Sequence, residues 1–153
     1  DTTILAEFTT LGSADAVLDF GFHYKARDWV SRGQSTTILP GFFEADDYYT
    51  DHDSNVHQAP TFLGNHDIGR FGGFVRSDGS GGADQQLDLM ELAFGFLFLS
   101  RGQPVVYYGD EQGAAVAGED TRARESLFAS RVPLYAAGVS IGSSRTGAEA
   151  RFD

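Results

Sequence analysis

Apolar and polar positions divide the chain into alternating helix and strand patterns. Residues Thr2–Leu11 place Ile4, Leu5, Phe8 and Leu11 at helical spacing. Ala16–Phe22, "AVLDFGF", is short and apolar and reads as a buried strand. "HYKARDWVSRG" offers Tyr24, Trp29 and Val30 on a short helix that stops at Gly33. A polar, irregular stretch follows, with a short helix around Pro40–Tyr49. "PTFLG" is the second strand. Arg76–Ala83 is a Gly- and Ser-rich loop. A strong helix runs from Asp84, which can cap it, to Gly102, which can end it. Its second half is apolar all round and needs cover on most sides. "QPVVYYGDE" is a third strand ending at Gly109, and "EDTRARESLFASRVPLYAAG" reads as a further amphipathic helix.

Strands alternating with helices predict an α/β fold with a parallel sheet and right-handed crossovers. The chemically suggestive residues follow strand C-termini, the end where sites form in α/β sheets and barrels. Composition supports a packed domain: 13 Phe, 6 Tyr and 1 Trp in 153 residues are ample for a core. A net charge of −11 disfavours a phosphate backbone as partner, so nucleic acid is not expected. Neutral partners such as sugars remain compatible. No cysteine is present, which excludes disulfides, thiolate metal sites and cysteine nucleophiles. The longest apolar stretch, near Leu92–Leu99, is far too short to span a membrane. No signal peptide opens the chain, and both ends read as mid-domain cuts.

"TFLGNHDIGRF", Thr61–Phe71, carries the candidate chemistry. An amide, an imidazole and a carboxylate at a strand mouth suit recognition of vicinal hydroxyls. Near an oxocarbenium-like transition state the carboxylate also stabilises charge. Arg70 can hold a second carboxylate ionised. Plainer roles compete. Asn65 after Gly64 suits a left-handed turn position, and Asp67 suits an N-cap. His52, Asp53 and His57 have metal-ligating types, but a solvated loop of mixed charge explains them better, since a third well-placed ligand is lacking. "GDE" at Gly109–Glu111 fits a helix-entry cap better than an acid site. One of Tyr107 and Tyr108 is expected to face the core and the other to be available for stacking on a sugar.

Two motifs together resemble the α-amylase family, glycoside hydrolase family 13. "TFLGNHDIGRF" is similar to that family's fourth conserved region, where an aromatic-Leu-x-Asn-His-Asp run ends the seventh barrel strand. "GQPVVYYGDEQG", Gly102–Gly113, resembles its Gly-x-Pro-x-x-Tyr-Tyr-Gly-x-Glu run at the eighth strand, with a helix of suitable length between. "VLDFGF" resembles the sixth strand. "EDTRARESLF" resembles a segment found soon after strand eight. The resemblance implies a partial (β/α)8 TIM barrel, about the last three βα units, with residues 1–153 a fragment of a longer catalytic barrel.

The resemblance implies roles for matching positions. Asp67 corresponds to the third catalytic carboxylate, which binds the 2- and 3-hydroxyls of the sugar at the cleavage site. His66 corresponds to a histidine bonding the same sugar, Asn65 to a supporting amide, and Arg70 to a residue that binds substrate or orders the loop. Gly64, where many members carry a larger residue, removes a side-chain contact. The family's nucleophile, an aspartate in an Arg-x-Asp pattern, and its acid/base glutamate have no counterparts here. The implied parent is a retaining hydrolase of α-glucans (starch, glycogen or maltooligosaccharides) whose other partners are the remaining barrel segments. No cofactor is evident. Calcium in the parent would draw on an earlier excursion domain, and secretion fits a polymer-degrading enzyme with an acidic surface. Two rival readings are a non-catalytic amylase-like binding or scaffolding module and a self-sufficient small α/β domain. A whole barrel takes about 250 residues and eight strands, so three strands leave open edges.

Overall fold

The computed structural model describes residues 2–12, 14–51, 55–79, 81–116, 118, 122–124 and 141. Helix α1, Thr2–Thr10, appears where helical spacing places it. Its buried positions are the small residues Ala6 and Thr9, while Ile4, Phe8 and Leu11 are exposed. Leu5 packs with Ala6 against Tyr49 and Val56 in a small satellite core.

The expected strand Ala16–Phe22 is cut short. The chain is extended up to Asp19, which bridges Thr61 in parallel, and helix α2, Phe20–Ala26, begins at once. Asp19 causes the switch. Its Oδ1 accepts the Phe22 N–H at 2.9 Å and caps the new helix. α2 runs on into a π-helical turn, Arg27–Ser31, and the chain leaves it before Gly33, which has φ +66°. Helix α3, Ile38–Glu44, and a 3-10 turn, Ala45–Tyr49, fill the span read as one short helix.

Strand β1, Pro60–Phe62, pairs in parallel with strand β2, Gln103–Val105, in the register Pro60↔Gln103 and Phe62↔Val105. Thr61 thus lies between Asp19 on one side and Pro104 on the other. Between β1 and β2 come helix α4, Phe71–Asp78, and helix α5, Ala83–Leu99. α4 was not anticipated, because Gly72 and Gly73 disguise its first turn. Close packing selects Gly72: a Cβ there would lie 2.9 Å from both the Ala114 carbonyl oxygen and Ala115 Cβ. α5 starts with Gly82 at its cap position, and no side chain bonds there, so Asp84 is not the cap. Gly102 lies beyond the helix end. It is required by φ +98° and by Thr61 Cγ2, 2.5 Å from where its Cβ would sit.

The core packs between the helices and the end of β1. Phe22, Ala26 and Val30 meet Leu63, Phe71, Val75, Met90, Ala93 and Leu97 there. Phe96 stacks on Phe22 with ring centroids 4.7 Å apart. β2, by contrast, is open to solvent. All three β2 residues are exposed, Val105 by 47%, and Leu18 and Val106 are exposed as well. Among the described residues nothing covers β2. Of the remaining expectations, the helix read over "EDTRARESLFASRVPLYAAG" falls largely outside the described residues, as do His52 and Asp53. No helix among the described residues is long and apolar enough to cross a membrane.

Arg101 ties the strand edges to the α3 turn. Its Nε and Nη2 donate to both oxygens of Asp46, at 2.9 and 2.7 Å, and its Nη1 donates to Asp19. Burial alone would lower the guanidinium pKa. The two carboxylates outweigh it and raise the pKa, so the charge is kept. Removing the guanidinium would strand the buried Asp19 carboxylate. We expect Arg101→Met to cost about 3–5 kcal/mol in urea unfolding of the intact protein that carries this chain. A loss below about 1 kcal/mol would mean that water compensates and that the tie is not structural.

Candidate functional site

The site grows out of the end of β1. Phe62, Leu63 and Gly64 are buried, and the chain then folds back on itself. Asn65 N–H donates to the Gly69 carbonyl at 3.2 Å, and Gly69 N–H returns to the Asn65 carbonyl at 3.1 Å. The Asn65 side chain completes the turn. Its Oδ1 accepts the N–H groups of Asp67 at 2.9 Å and Ile68 at 3.0 Å. Gly64 has a stricter role than the loss of one contact. A Cβ there would lie 2.5 Å from the Gly69 carbonyl oxygen, so any larger residue pushes the turn open. Gly69 takes φ +103°, a region that favours glycine.

This turn carries His66 and Asp67 at its tip. Their side chains are 55% and 62% exposed, and His66 Nε2 lies 3.3 Å from Asp67 Oδ1. The amide that sequence grouped with them points the other way, into the turn's own backbone. A fixed, solvent-facing carboxylate with an imidazole beside it can accept hydrogen bonds from two neighbouring hydroxyls.

Arg70 does not join them at the surface. Its side chain is fully buried, and Nη1 donates to Asp110 Oδ1 at 2.8 Å and to the Tyr108 carbonyl at 2.7 Å. Its guanidinium carbon lies 4.8 Å from the Tyr107 ring centroid and 5.0 Å from that of Tyr108. The alternative that Arg70 holds a second carboxylate fits this placement, and that carboxylate is Asp110. Direct contact between Arg70 and a sugar does not fit a guanidinium closed off from solvent. The "GDE" run is likewise structural. Asp110 faces Arg70, and Glu111 Oε2 accepts the Gly109 N–H at 2.7 Å. Neither tyrosine of the pair is buried in the core. Tyr107 is half-buried and Tyr108 is exposed, with their centroids 4.7 Å apart. Among the described residues no three His, Asp or Glu side chains converge where a metal ion could be held, and His57 lies exposed.

Sequence reasoning passed over His23. It is fully buried on α2, with its ring between those of Phe62 and Phe74. Its Nδ1 bonds the Leu63 carbonyl, one residue before the turn. A carbonyl only accepts, so Nδ1 carries the proton. Burial lowers the His23 pKa to about 4, against the raising effect of the Leu63 bond and with the help of the nearby Arg27 charge. The only signal in sequence was an imidazole in the apolar stretch "FGFHY", which gives no hint of a partner 40 residues away.

The profile of the family described as the alpha amylase catalytic domain matches residues 1–133. The chain belongs to this family. It is 44% identical over its full length to an alpha-amylase of Streptomyces lividans, of which it spans 17%. An Anoxybacillus alpha-amylase structure superimposes with a TM-score of 0.64 at 24% identity, covering 98% of this chain and 28% of that one. The acarbose complex of a Geobacillus thermoleovorans alpha-amylase gives a TM-score of 0.64 at 23% identity, with coverage of 86% and 27%. The chain therefore spans under a third of each of these relatives.

His23 makes the stability of this alpha-amylase-family chain pH-dependent in a defined direction. Its folded pKa lies below the unfolded value, so the unfolded chain takes up the proton first as pH falls. Its contribution is intact above about pH 6.5 and is lost between about 6.5 and 4, by up to about 3 kcal/mol. Urea unfolding of the intact protein at a series of pH values should show this slope, and His23→Gln should flatten it. An unchanged slope in the variant would assign the effect to other groups.

Proposed function

We propose that the chain is the closing part of a (β/α)8 barrel, about its last three βα units, in a retaining hydrolase of α-glucans. Starch, glycogen and maltooligosaccharides are the substrates that this reading implies. The observation that carries it is the placement of Asp67: a carboxylate on a rigid, glycine-hinged turn at the C-terminal end of a parallel strand, with His66 3.3 Å away. The exposed side of β2, with Val105 and Val106, is the kind of surface that the remaining barrel strands would cover. The acarbose complex of the Geobacillus relative supports an oligosaccharide as ligand.

In this reading Asp67 accepts hydrogen bonds from the 2- and 3-hydroxyls of the sugar whose bond is cleaved. Its negative charge stabilises the oxocarbenium-like transition state. His66 bonds a hydroxyl of the same ring. Asn65 and Arg70 act from behind. Asn65 fixes the turn's backbone, and Arg70 locks the turn to the 3-10 turn that follows β2. Retention needs two further carboxyls about 5–5.5 Å apart, one as nucleophile and one as acid/base. Those come from other segments of the parent. Asp67 lowers the barrier for both steps of the double displacement, since both pass through the same kind of transition state.

Two measurements test this reading. Asp67→Asn in the parent protein should lower kcat by about 100- to 1,000-fold on maltooligosaccharides with the melting temperature unchanged. Activity within a few fold of wild type would remove Asp67 from the chemistry. Residues 1–153 expressed alone should aggregate or fail to show a cooperative melt, because the open strand face is apolar. A monomeric chain with a sharp melting transition would favour an independent domain over a barrel segment.

A further inference from the structure

The segment after β2 reaches back to the turn that displays Asp67. Tyr107 Oη donates to the Ala123 carbonyl at 3.2 Å, and Ala123 itself is fully buried. Gly118 lies against the same turn, its carbonyl oxygen 2.8 Å from where a Cβ on Gly69 would sit. The residue following the anchored Ala123 is Arg124, and its Nη2 lies 3.6 Å from Asp67 Oδ1. His66 Nε2 approaches the same oxygen at 3.3 Å.

We propose that Arg124 is a positioning residue for Asp67, and this rests on the catalytic reading of Asp67 above. The carboxylate stands at the tip of a turn, more than half exposed, with no covalent restraint on its rotation about χ2. Two cationic or hydrogen-bonding groups converging on one oxygen restrict that rotation. His66 belongs to the same turn and moves with it. Arg124 comes from a separate stretch of chain, and its anchor is Ala123, held by the Tyr107 hydroxyl. The orientation of Asp67 is therefore set from the segment that follows β2. An exposed ion pair supplies a small, salt-sensitive contribution, so Arg124 tunes the reaction and does not perform it. Because a well-oriented carboxylate matters most in the transition state, Arg124 acts on kcat more than on KM.

The test uses the intact parent enzyme with a maltooligosaccharide substrate. Arg124→Ala should lower kcat about fivefold, equivalent to about 1 kcal/mol, with little change in KM or melting temperature. Arg124→Lys should recover most of the loss. Salt at about 1 M should bring wild-type kcat toward the alanine variant's value and leave the variant unaffected. In the Asp67→Asn background, Arg124→Ala should change the residual kcat less than twofold. Four results would overturn the proposal: no loss in kcat, loss only with a lowered melting temperature, no rescue by lysine, or a full effect in the Asp67→Asn background. If Asp67→Asn itself kept near wild-type activity, the catalytic reading would fall first, and the two failures are thus told apart.

Discussion

The Arg70 guanidinium is buried between the ends of two parallel strands, and the geometry of the site follows from how its charge is met. A bare guanidinium at that depth would be prohibitively costly. Asp110 supplies the opposite charge at 2.8 Å, the Tyr108 carbonyl takes a second hydrogen bond, and two tyrosine rings flank the plane. None of these partners is near Arg70 in sequence. The turn after β1 and the turn after β2 are forced into one register as the price of that charge. Asp67, three residues before Arg70, inherits its position from this lock. A buried pair is weak support for stability as such, yet breaking one side of it is severe. That asymmetry makes Arg70 and Asp110 determinants of geometry even though neither faces the solvent.

A second buried charge does the same work elsewhere on the strand set. Arg101 precedes β2 and joins Asp19, at the end of the extended segment before α2, to Asp46 in the turn after α3. Between the two ties the strands contribute only three paired residues each. So short a ladder has little strength of its own. The apolar cluster under Leu63 and Phe71 and the two arginine ties hold the strands in place. His23 adds a neutral, buried bond to the Leu63 carbonyl, immediately before the chain turns outward. Charge, packing and backbone thus converge on the few residues that lead into Asn65.

Much of this architecture was legible in the pattern of the chain. α5 announces itself by length and apolar content, and the parallel pairing follows from strands separated by helices. The turn residues Asn65, His66 and Asp67 were legible as a group, but their division of labour was not. Residue types alone cannot say that the Asn65 amide turns inward to the Asp67 and Ile68 N–H groups. The same limit applies to Arg70, whose direction is decided by Asp110, 40 residues away. α4 was hidden because glycines are poor helix formers, and the close approach of Ala114 and Ala115 is what explains Gly72. The strand read over Ala16–Phe22 was overextended because apolar runs do not separate strand from buried helix. Asp19, as a cap, was the available signal. The exposure of β2 accords with the open edges that so few strands leave.

The account centres on Asp67 as the carboxylate that meets the sugar at the point of cleavage. The most direct measurement is a crystal structure of the intact parent protein with acarbose bound. The account predicts both Asp67 oxygens within about 3 Å of adjacent hydroxyls on the ring at the cleavage position, with His66 on the same ring and Arg70 still buried against Asp110. An acarbose chain bound in the barrel with Asp67 turned away from it, or contacted only through the outer sugars, would contradict the account.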